Sequence, residues 1–235
     1  MTITKLIKIF TKLIIRYSKD IVTGNVFKFA TKPKSEIAYH SVISISQEIK
    51  PSDTFENKIF NLTLASNKIT EYCILPNEIF SFWNIIGNPN YDFKKGRTIQ
   101  NGQIIEEVGG GICQVSGIVY NVSLIAGLQI LERYNHSVDI YTDETRFAPL
   151  GLDATVVYAY KDLRIKNNYT FPIKFEMEVF ENRIKVDLKS TKKIEVIKLF
   201  FESEFDYENI IVKVLDENKK QLNLSKYKKI IVSNT

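Results

Sequence analysis

The sequence predicts an α+β fold in which a buried helix, starting at a cysteine, packs on antiparallel strands and is followed by a β-rich C-terminal part. The stretch from Cys113 to about Leu128 is apolar nearly all round, which is typical of a buried helix. After Gly127, short alternating segments are separated by turn residues, which favours antiparallel sheet. Because 44% of the residues are hydrophobic, the 235-residue chain can also form a substantial core.

The chain begins with a predicted basic amphipathic helix, in which apolar residues recur every three or four positions from Ile3 to Ile21. Residues 1–34 carry eight basic side chains and one acidic one, a net charge of +7, while the other 201 residues carry −2 of the total of +5. Two interpretations stay open. Residues 1–24 could lie on an anionic membrane surface, or the helix could pack on its own domain with its lysines in solvent.

The middle of the chain predicts further helices and loops around the central helix. Apolar spacing favours a helix over 56–72, and alternation favours a short strand over 79–83. Residues 31–35 read as a linker and residues 87–96 as a loop. We expect three segments: the N-terminal helix and linker (1–34), a core (35–180) and a β-rich extension (181–235).

The predicted strands of the second half are short, and turn residues such as those at 181–182 and 216–218 separate them. They are 137–141, 154–158, 171–178, 183–188, 194–201, 210–215 and 230–232.

The most informative motif is the run Gly109-Gly110-Gly111-Ile112-Cys113-Gln114, in which a glycine-rich loop leads into the central helix. A thiol at a helix N-terminus lies where the helix dipole favours negative charge, so Cys113 is a candidate nucleophile. His136 and Asp153 follow in the chain order of transglutaminase-like cysteine enzymes. The expected roles are nucleophile for Cys113, base and acid for His136, and orienting group for Asp153, with Gln114 in the oxyanion site.

Three alternatives compete with this interpretation. Cys113 could be an inert packing residue and the glycines a simple turn. A lytic transglycosylase would instead need a carboxylic acid, with Glu78, Glu107 and Glu132 as candidates, and with aromatic residues Phe80, Phe82, Trp83 and Tyr91 stacking on sugars. A non-catalytic protein could bind an anionic group at the glycine-rich loop.

Several function classes are not expected. The two cysteines and two histidines have no short ligand spacing, so no metal is predicted. The glycine-rich loop is neither a P-loop nor a dinucleotide fingerprint, and no cofactor is expected. Positive charge is confined to one end, which argues against nucleic-acid binding. The first stretch lacks the uninterrupted apolar run of a signal peptide or a membrane span, so a cytoplasmic location is expected, either free or peripheral at the inner face of the membrane.

The chain resembles the VanW family over about residues 61–180. The matching residues are Pro76–Phe82, Gly109–Ser116, Tyr120-Asn121, Glu132-Arg133, His136-Ser137, Asp153–Val156, Asp162 and Asn167-Asn168. Asn77 replaces the glycine of a Pro-Gly-Glu pattern, and asparagine also tolerates a left-handed turn.

This resemblance implies a link to peptidoglycan or glycopeptide resistance. With the thiol chemistry, it predicts an enzyme acting on an amide of peptidoglycan or its precursors. Within the motif, the candidates for loop or ligand contacts are Gly109, Gly110, Gly111, Ser116, Tyr120, Asn121 and Arg133.

Overall fold

The computed structural model of the chain describes residues 3–33, 35–100, 103–139, 146 and 148–229. Within these residues the helices are α1 (Ile3–Val22), α2 (Phe55–Thr70), α3 (Phe82–Ile86), α4 (Pro89–Asp92) and α5 (Ile112–Ile125). The strands are β1 (Ser41–Glu48), β2 (Ile79–Ser81), β3 (Lys95–Gln100), β4 (Gln103–Val108), β5 (Gln129–Glu132), β6 (Val138–Asp139), β7 (Arg164–Lys166), β8 (Ile173–Val179), β9 (Arg183–Ser190), β10 (Phe200–Phe205), β11 (Asn209–Leu215) and β12 (Gln221–Lys229).

The strands form small sheets that are almost wholly antiparallel. Their orders are β1-β9-β8, β2-β7-β5, β10-β11-β12-β6 and the hairpin β3-β4, and only the short β12-β6 pair runs parallel. Helices and antiparallel sheets share one chain, with strands predominating after residue 164. The predicted α+β class with a β-rich C-terminal part is therefore confirmed.

Helix α5 forms the centre of the core. Every residue from Gln114 to Leu124 is buried, because α5 packs against α2 on one side and against β1 and β9 on the other. Strand β9 alternates, and its Ile184, Val186 and Leu188 are fully buried. The segment boundary expected at 180/181 falls inside the β8-β9 hairpin, so the sheet beside α5 draws strands from both sides of that boundary.

The three glycines of the loop before α5 are needed for different physical reasons. Gly109 and Gly111 have φ values of 82° and 95°, in the left-handed region that glycine adopts without strain. Gly110 instead provides room, because a Cβ there would lie 2.1 Å from the carbonyl carbon of Gly96 in β3. The β3-β4 hairpin can therefore lie directly against the start of α5.

Helix α1 packs on the domain through its polar side. Arg16 forms a two-point ion pair with Glu132 (2.9 and 2.8 Å), and Asp20 forms another with Arg164 (2.5 and 2.8 Å). The expected helix is confirmed, but its apolar residues are mostly exposed. The helix thus does pack on its own domain, through a side that carries the ion-paired Arg16 and Asp20 together with the partly buried Ile9 and Leu13. No described helix is long and apolar enough to cross a membrane.

Several predicted elements differ from the structure. The strand predicted over 154–158 is absent, because Val157 to Lys161 forms a turn in which Ala159 has a φ of 68°. The strand predicted over 79–83 ends at Ser81, whose hydroxyl caps α3 by accepting from the Asn84 N–H. The predicted loop 87–96 contains α4, and the strand predicted from 194 begins only at Phe200.

Other predicted elements agree with the structure, or lie outside the residues that it describes. Helices α2 and α5 match their predicted ranges closely, as do β8, β9 and β11. The predicted strand at 230–232 lies outside the described residues, as do positions 140 and 141 of the strand predicted around β6.

Replacing Gly110 by alanine should destabilise the protein by roughly 1–3 kcal/mol, because the added methyl group meets the Gly96 backbone. Gly117→Ala is the matched control. A Cβ at Gly117, inside α5, would make only ordinary contacts of 3.8 Å or more, so that variant should be as stable as the native protein or slightly more. Chemical denaturation of both variants measures the difference in the free energy of unfolding. Equal stabilities of the two variants would contradict the close packing of Gly110 against Gly96.

Candidate active site

Cys113 lies in the first turn of α5 and is partly exposed. Its Sγ is 3.8 Å from the carbonyl oxygen of Val156. Ser116, one turn later, donates to the carbonyl oxygen of Ala154 at 2.6 Å and so fixes the 153–156 segment beside the helix. Because this segment carries Asp153, the N-terminus of α5 and the aspartate become neighbours although 40 residues separate them.

His136 stands between Cys113 and Asp153. Its ring Nδ1 is 2.6 Å from Asp153 Oδ2, and its backbone N–H donates to the same oxygen at 2.7 Å. The Cys113 side chain lies close enough to the ring to contribute to the raised pKa of His136. The three residues expected from chain order therefore do meet in space, with the imidazole held by the carboxylate and facing the thiol.

The second oxygen of Asp153 is also occupied. Arg133 lies 3.0 Å from Oδ1, and the Tyr227 hydroxyl donates to the same atom at 2.5 Å. Arg133 donates further to the Asp153 carbonyl oxygen at 2.8 Å and to the Ser225 hydroxyl at 2.7 Å. A carboxylate with this many donors keeps one orientation and therefore orients the His136 ring.

The charges of the site reinforce one another. Burial lowers the pKa of His136, but the hydrogen bonds to Asp153 and Cys113 outweigh it and raise the pKa to about 10. Burial raises the pKa of Asp153, but His136, Arg133 and Tyr227 outweigh it and lower the pKa to about 2. At neutral pH the pair is therefore an imidazolium and a carboxylate, next to a partly exposed thiol.

Gln114 does not fit the oxyanion role expected for it. Its side chain is buried and donates to the Glu48 carbonyl oxygen at 2.8 Å, and its backbone N–H bonds to the Gly111 carbonyl oxygen. Both donors are thus used to tie α5 to β1 and to close its own first turn. The oxyanion role expected for Gln114 is therefore wrong, and this residue has a structural role.

Several motif residues expected at a ligand are instead structural. Ser116, Tyr120 and Asn121 are buried within α5, with at most 8% of each exposed. The Tyr120 ring carries the Arg133 guanidinium above it at 5.0 Å, so it helps to place the arginine that holds Asp153. Among the three glycines, Gly111 is covered by the Lys58 side chain and Gly110 by Gly96, so the loop is packed against protein on both sides.

The three candidate acids lie at different places. Glu78 accepts the backbone N–H of Leu75 in a turn next to Asn77, whose φ is 65° as the motif suggested. Glu107 is exposed and pairs with Lys5. Glu132 is engaged by the guanidinium groups of Arg16 and Arg164. None of them meets the other two, and each has a structural partner.

The aromatic residues proposed for sugar stacking divide into two groups. Phe80 and Phe82 are buried in the core. Trp83 is half-buried and packs edge-on against Tyr158 with the ring centres 5.4 Å apart, while Tyr91 is 83% exposed. Only this second group is accessible to a ligand.

Two residues of the site were not predicted: Tyr227 and Ser225, both in β12. Neither carries a sequence signal, because the buried positions of β12 are polar while Leu224 on the other face is 53% exposed. Among the described residues, no three His, Cys, Asp or Glu side chains are grouped as a metal site would require.

The raised pKa of His136 can be tested by NMR, since the chain has only two histidines. The imidazole of His136 should stay protonated well above neutral pH, and Asp153→Asn should shift its titration downward because the ring loses its charged partner. Asp187→Asn removes a carboxylate paired with Lys185 elsewhere and serves as the control, with no effect on His136. An unshifted titration in Asp153→Asn would refute the coupling.

Known proteins share part of this chain. The uncharacterized protein YoaR of Bacillus subtilis (strain 168) is 38% identical over 120 residues, which are 50% of this chain and 38% of that protein. The vancomycin B-type resistance protein VanW of Enterococcus faecalis (strain ATCC 700802 / V583) is 36% identical over 115 residues, which are 48% of this chain and 42% of that protein. The matched region thus spans about two fifths of each relative.

Residues 57–189, which include Cys113, His136 and Asp153, match a protein-family model. No solved structure matches the chain. The family model described as VanW like protein matches residues 57–189, more than half of the chain and the whole segment from α2 to β9 apart from its edges. The chain therefore belongs to the family of VanW-like proteins.

Proposed function

We propose that this protein is a cysteine-dependent enzyme that acts on an amide bond of peptidoglycan or of its precursors. The observation that carries the proposal is the convergence of Cys113, His136 and Asp153, with Asp153 on ring Nδ1 at 2.6 Å and the thiol on the same imidazole. A nucleophile, an acid–base group and an orienting group in that order are what acyl transfer through a thioester requires.

The proposed reaction has two steps. In the first, the Cys113 sulfur attacks the amide carbonyl carbon, the C–N bond breaks, and the His136 imidazolium gives its proton to the leaving amine. In the second, water or another amine attacks the thioester, its proton passes to His136, and the thiolate is released. The imidazolium and the N-terminus of α5 both favour negative charge on the sulfur.

The substrate class rests on the family. One relative is named for vancomycin B-type resistance, and the resemblance to the VanW family implies a link to peptidoglycan. A small pocket lies beside His136 and Asp153, and Cys113 is not among its lining residues. The rest of its lining is formed by Val138, Asp139, Arg146, Ala148, Pro149, Leu150 and Tyr227.

Glycan cleavage has weaker support. Glu78, Glu107 and Glu132 are each held by a structural partner and lie apart from one another. A purely binding protein would need no thiol next to an imidazole that a carboxylate orients. The partly exposed aromatic group of Trp83, Tyr158 and Tyr91 would serve substrate binding in any of these functions.

The thiol should be reactive and should depend on His136. Alkylation of Cys113 by iodoacetamide at neutral pH, followed by peptide mass spectrometry, should be slowed roughly tenfold by His136→Ala, because the imidazolium stabilises the reactive thiolate. His40→Ala is the matched control, since His40 lies outside the site, and should leave the rate unchanged. Equal rates in the native protein and His136→Ala would make Cys113 a packing residue.

The enzymatic proposal is tested by turnover. Incubation with purified peptidoglycan or muropeptides should release or exchange an amine, detected by mass spectrometry, and Cys113→Ala should reduce the rate roughly 10³-fold or more. Cys73→Ala should retain activity, because Cys73 is buried and contacts Tyr39 away from His136.

Two other outcomes would overturn the proposal in favour of its alternatives. Anhydro-sugar products that persist in Cys113→Ala would indicate a glycan-cleaving enzyme. Saturable binding of muropeptides without any turnover would indicate a binding protein.

A further inference from the structure

The N-terminal helix α1 carries an apolar stripe that the described protein does not cover. Its residues recur at intervals of three and four, so they lie along one side of the helix. Each is at least half exposed: Ile3 (77%), Ile7 (61%), Phe10 (66%), Ile14 (50%), Tyr17 (60%) and Ile21 (51%). A continuous exposed apolar surface of this kind marks an interaction site in a folded protein.

The stripe is held in place by the rest of the molecule. The positions that turn towards the domain are Ile9, Leu13, Arg16 and Asp20, a different side of the same helix. Arg16 and Asp20 form two-point ion pairs with Glu132 and Arg164. Because the polar side is fixed, α1 presents its apolar stripe outward in a defined direction.

The positive charge of the helix, which lies mainly on the side opposite the stripe, favours an anionic occupant. Lys8, Lys12 and Lys19 are exposed on the helix, and Lys28 is exposed just beyond its end. Residues 1–34 hold a net charge of +7, whereas the remainder of the chain is slightly negative. An amphipathic helix with exposed apolar residues and lysines matches a surface that is apolar inside and negative outside.

Two further apolar residues are exposed at the end of the helix and after it. Val22, the last residue of α1, is 86% exposed, and Phe27, in the short turn that follows, is 89% exposed. An exposed phenylalanine next to exposed lysine is suited to the boundary between lipid headgroups and acyl chains.

We propose that this face, formed by the apolar stripe of α1 with Val22 and Phe27, docks on an anionic lipid membrane. The helix lies in the plane of the membrane and its apolar side chains enter the headgroup region. The ion pairs of Arg16 and Asp20 stay on the protein side and connect the helix to β5 and β7.

Helix α1 is linked to the thiol site through ion pairs. Glu132, which holds Arg16, is the residue before Arg133, and Arg133 holds Asp153. Helix α1 is thus connected to the catalytic candidates through Glu132, the last residue of β5, and Arg133, the residue after it.

The test is co-sedimentation of the full chain with vesicles of phosphatidylcholine, with or without phosphatidylglycerol. The native protein should bind the anionic vesicles. The triple variant Ile7→Glu, Phe10→Glu and Ile14→Glu should bind about tenfold less or worse, because three apolar side chains no longer enter the lipid. All three residues are exposed, so circular dichroism should show an unchanged fold and melting temperature.

The matched control changes exposed apolar residues elsewhere. The triple variant Val196→Glu, Phe205→Glu and Tyr207→Glu makes the same change in net charge at positions that are 60%, 69% and 84% exposed. Its vesicle binding should stay close to that of the native protein. Lys8→Gln, Lys12→Gln and Lys19→Gln should weaken binding to anionic vesicles only.

Three results would overturn the proposal. One is the absence of sedimentation of the native protein with anionic vesicles. Another is equal loss of binding in the stripe variant and its control, which would make the effect one of net charge. The third is a native dimer that the stripe variant converts to a monomer with no change in vesicle binding, which would identify a second copy as the occupant.

Discussion

The buried carboxylate of Asp153 is the constraint on which the rest of the site depends. Its oxygens are contacted by His136 and Arg133, from the stretch between β5 and β6, and by Tyr227 from β12. A buried carboxylate costs several kcal/mol when it is left without donors, so these segments are held together strongly. The positions of the imidazole, of the end of β5 and of β12 are all consequences of satisfying this one charge.

The same constraint joins the family core to the C-terminal part. The family match ends at residue 189, but Ser225 and Tyr227 lie beyond it and complete the surroundings of Arg133 and Asp153. The sheet β10-β11-β12-β6 reaches the site because its last strand pairs with β6, two residues after His136. The extension is therefore part of the site and not an appended module.

Sequence patterns predicted those features that depend on local chemistry. The glycine-rich loop, the buried helix after it and the order of Cys113, His136 and Asp153 are visible in the chain because each depends on neighbours or on a short motif. Strand β1 could also have been found, because apolar Ile43 and Ile45 alternate with polar Ser44 and Ser46. The two isoleucines face the core.

What the sequence did not reveal depends on long-range packing. β12 faces the core with Ser225 and Tyr227, so its hydrophobic alternation is out of phase with its burial. The role of Gln114 could not be predicted either, because its partner, the Glu48 carbonyl, lies 66 positions away. Side chains whose partners belong to distant strands follow the tertiary fold and not the local pattern.

The late position of β12 has a consequence for how the protein is made. A ribosome releases the thiol, the histidine and the aspartate well before residue 227, so the nascent chain carries Asp153 without the Tyr227 hydroxyl and carries Arg133 without Ser225. The imidazole is not held in its final orientation until the last described strand has paired. The candidate active centre is thus completed only after β12 has been made, and a chain cut short before β12 keeps its cysteine without the hydroxyl groups of Ser225 and Tyr227.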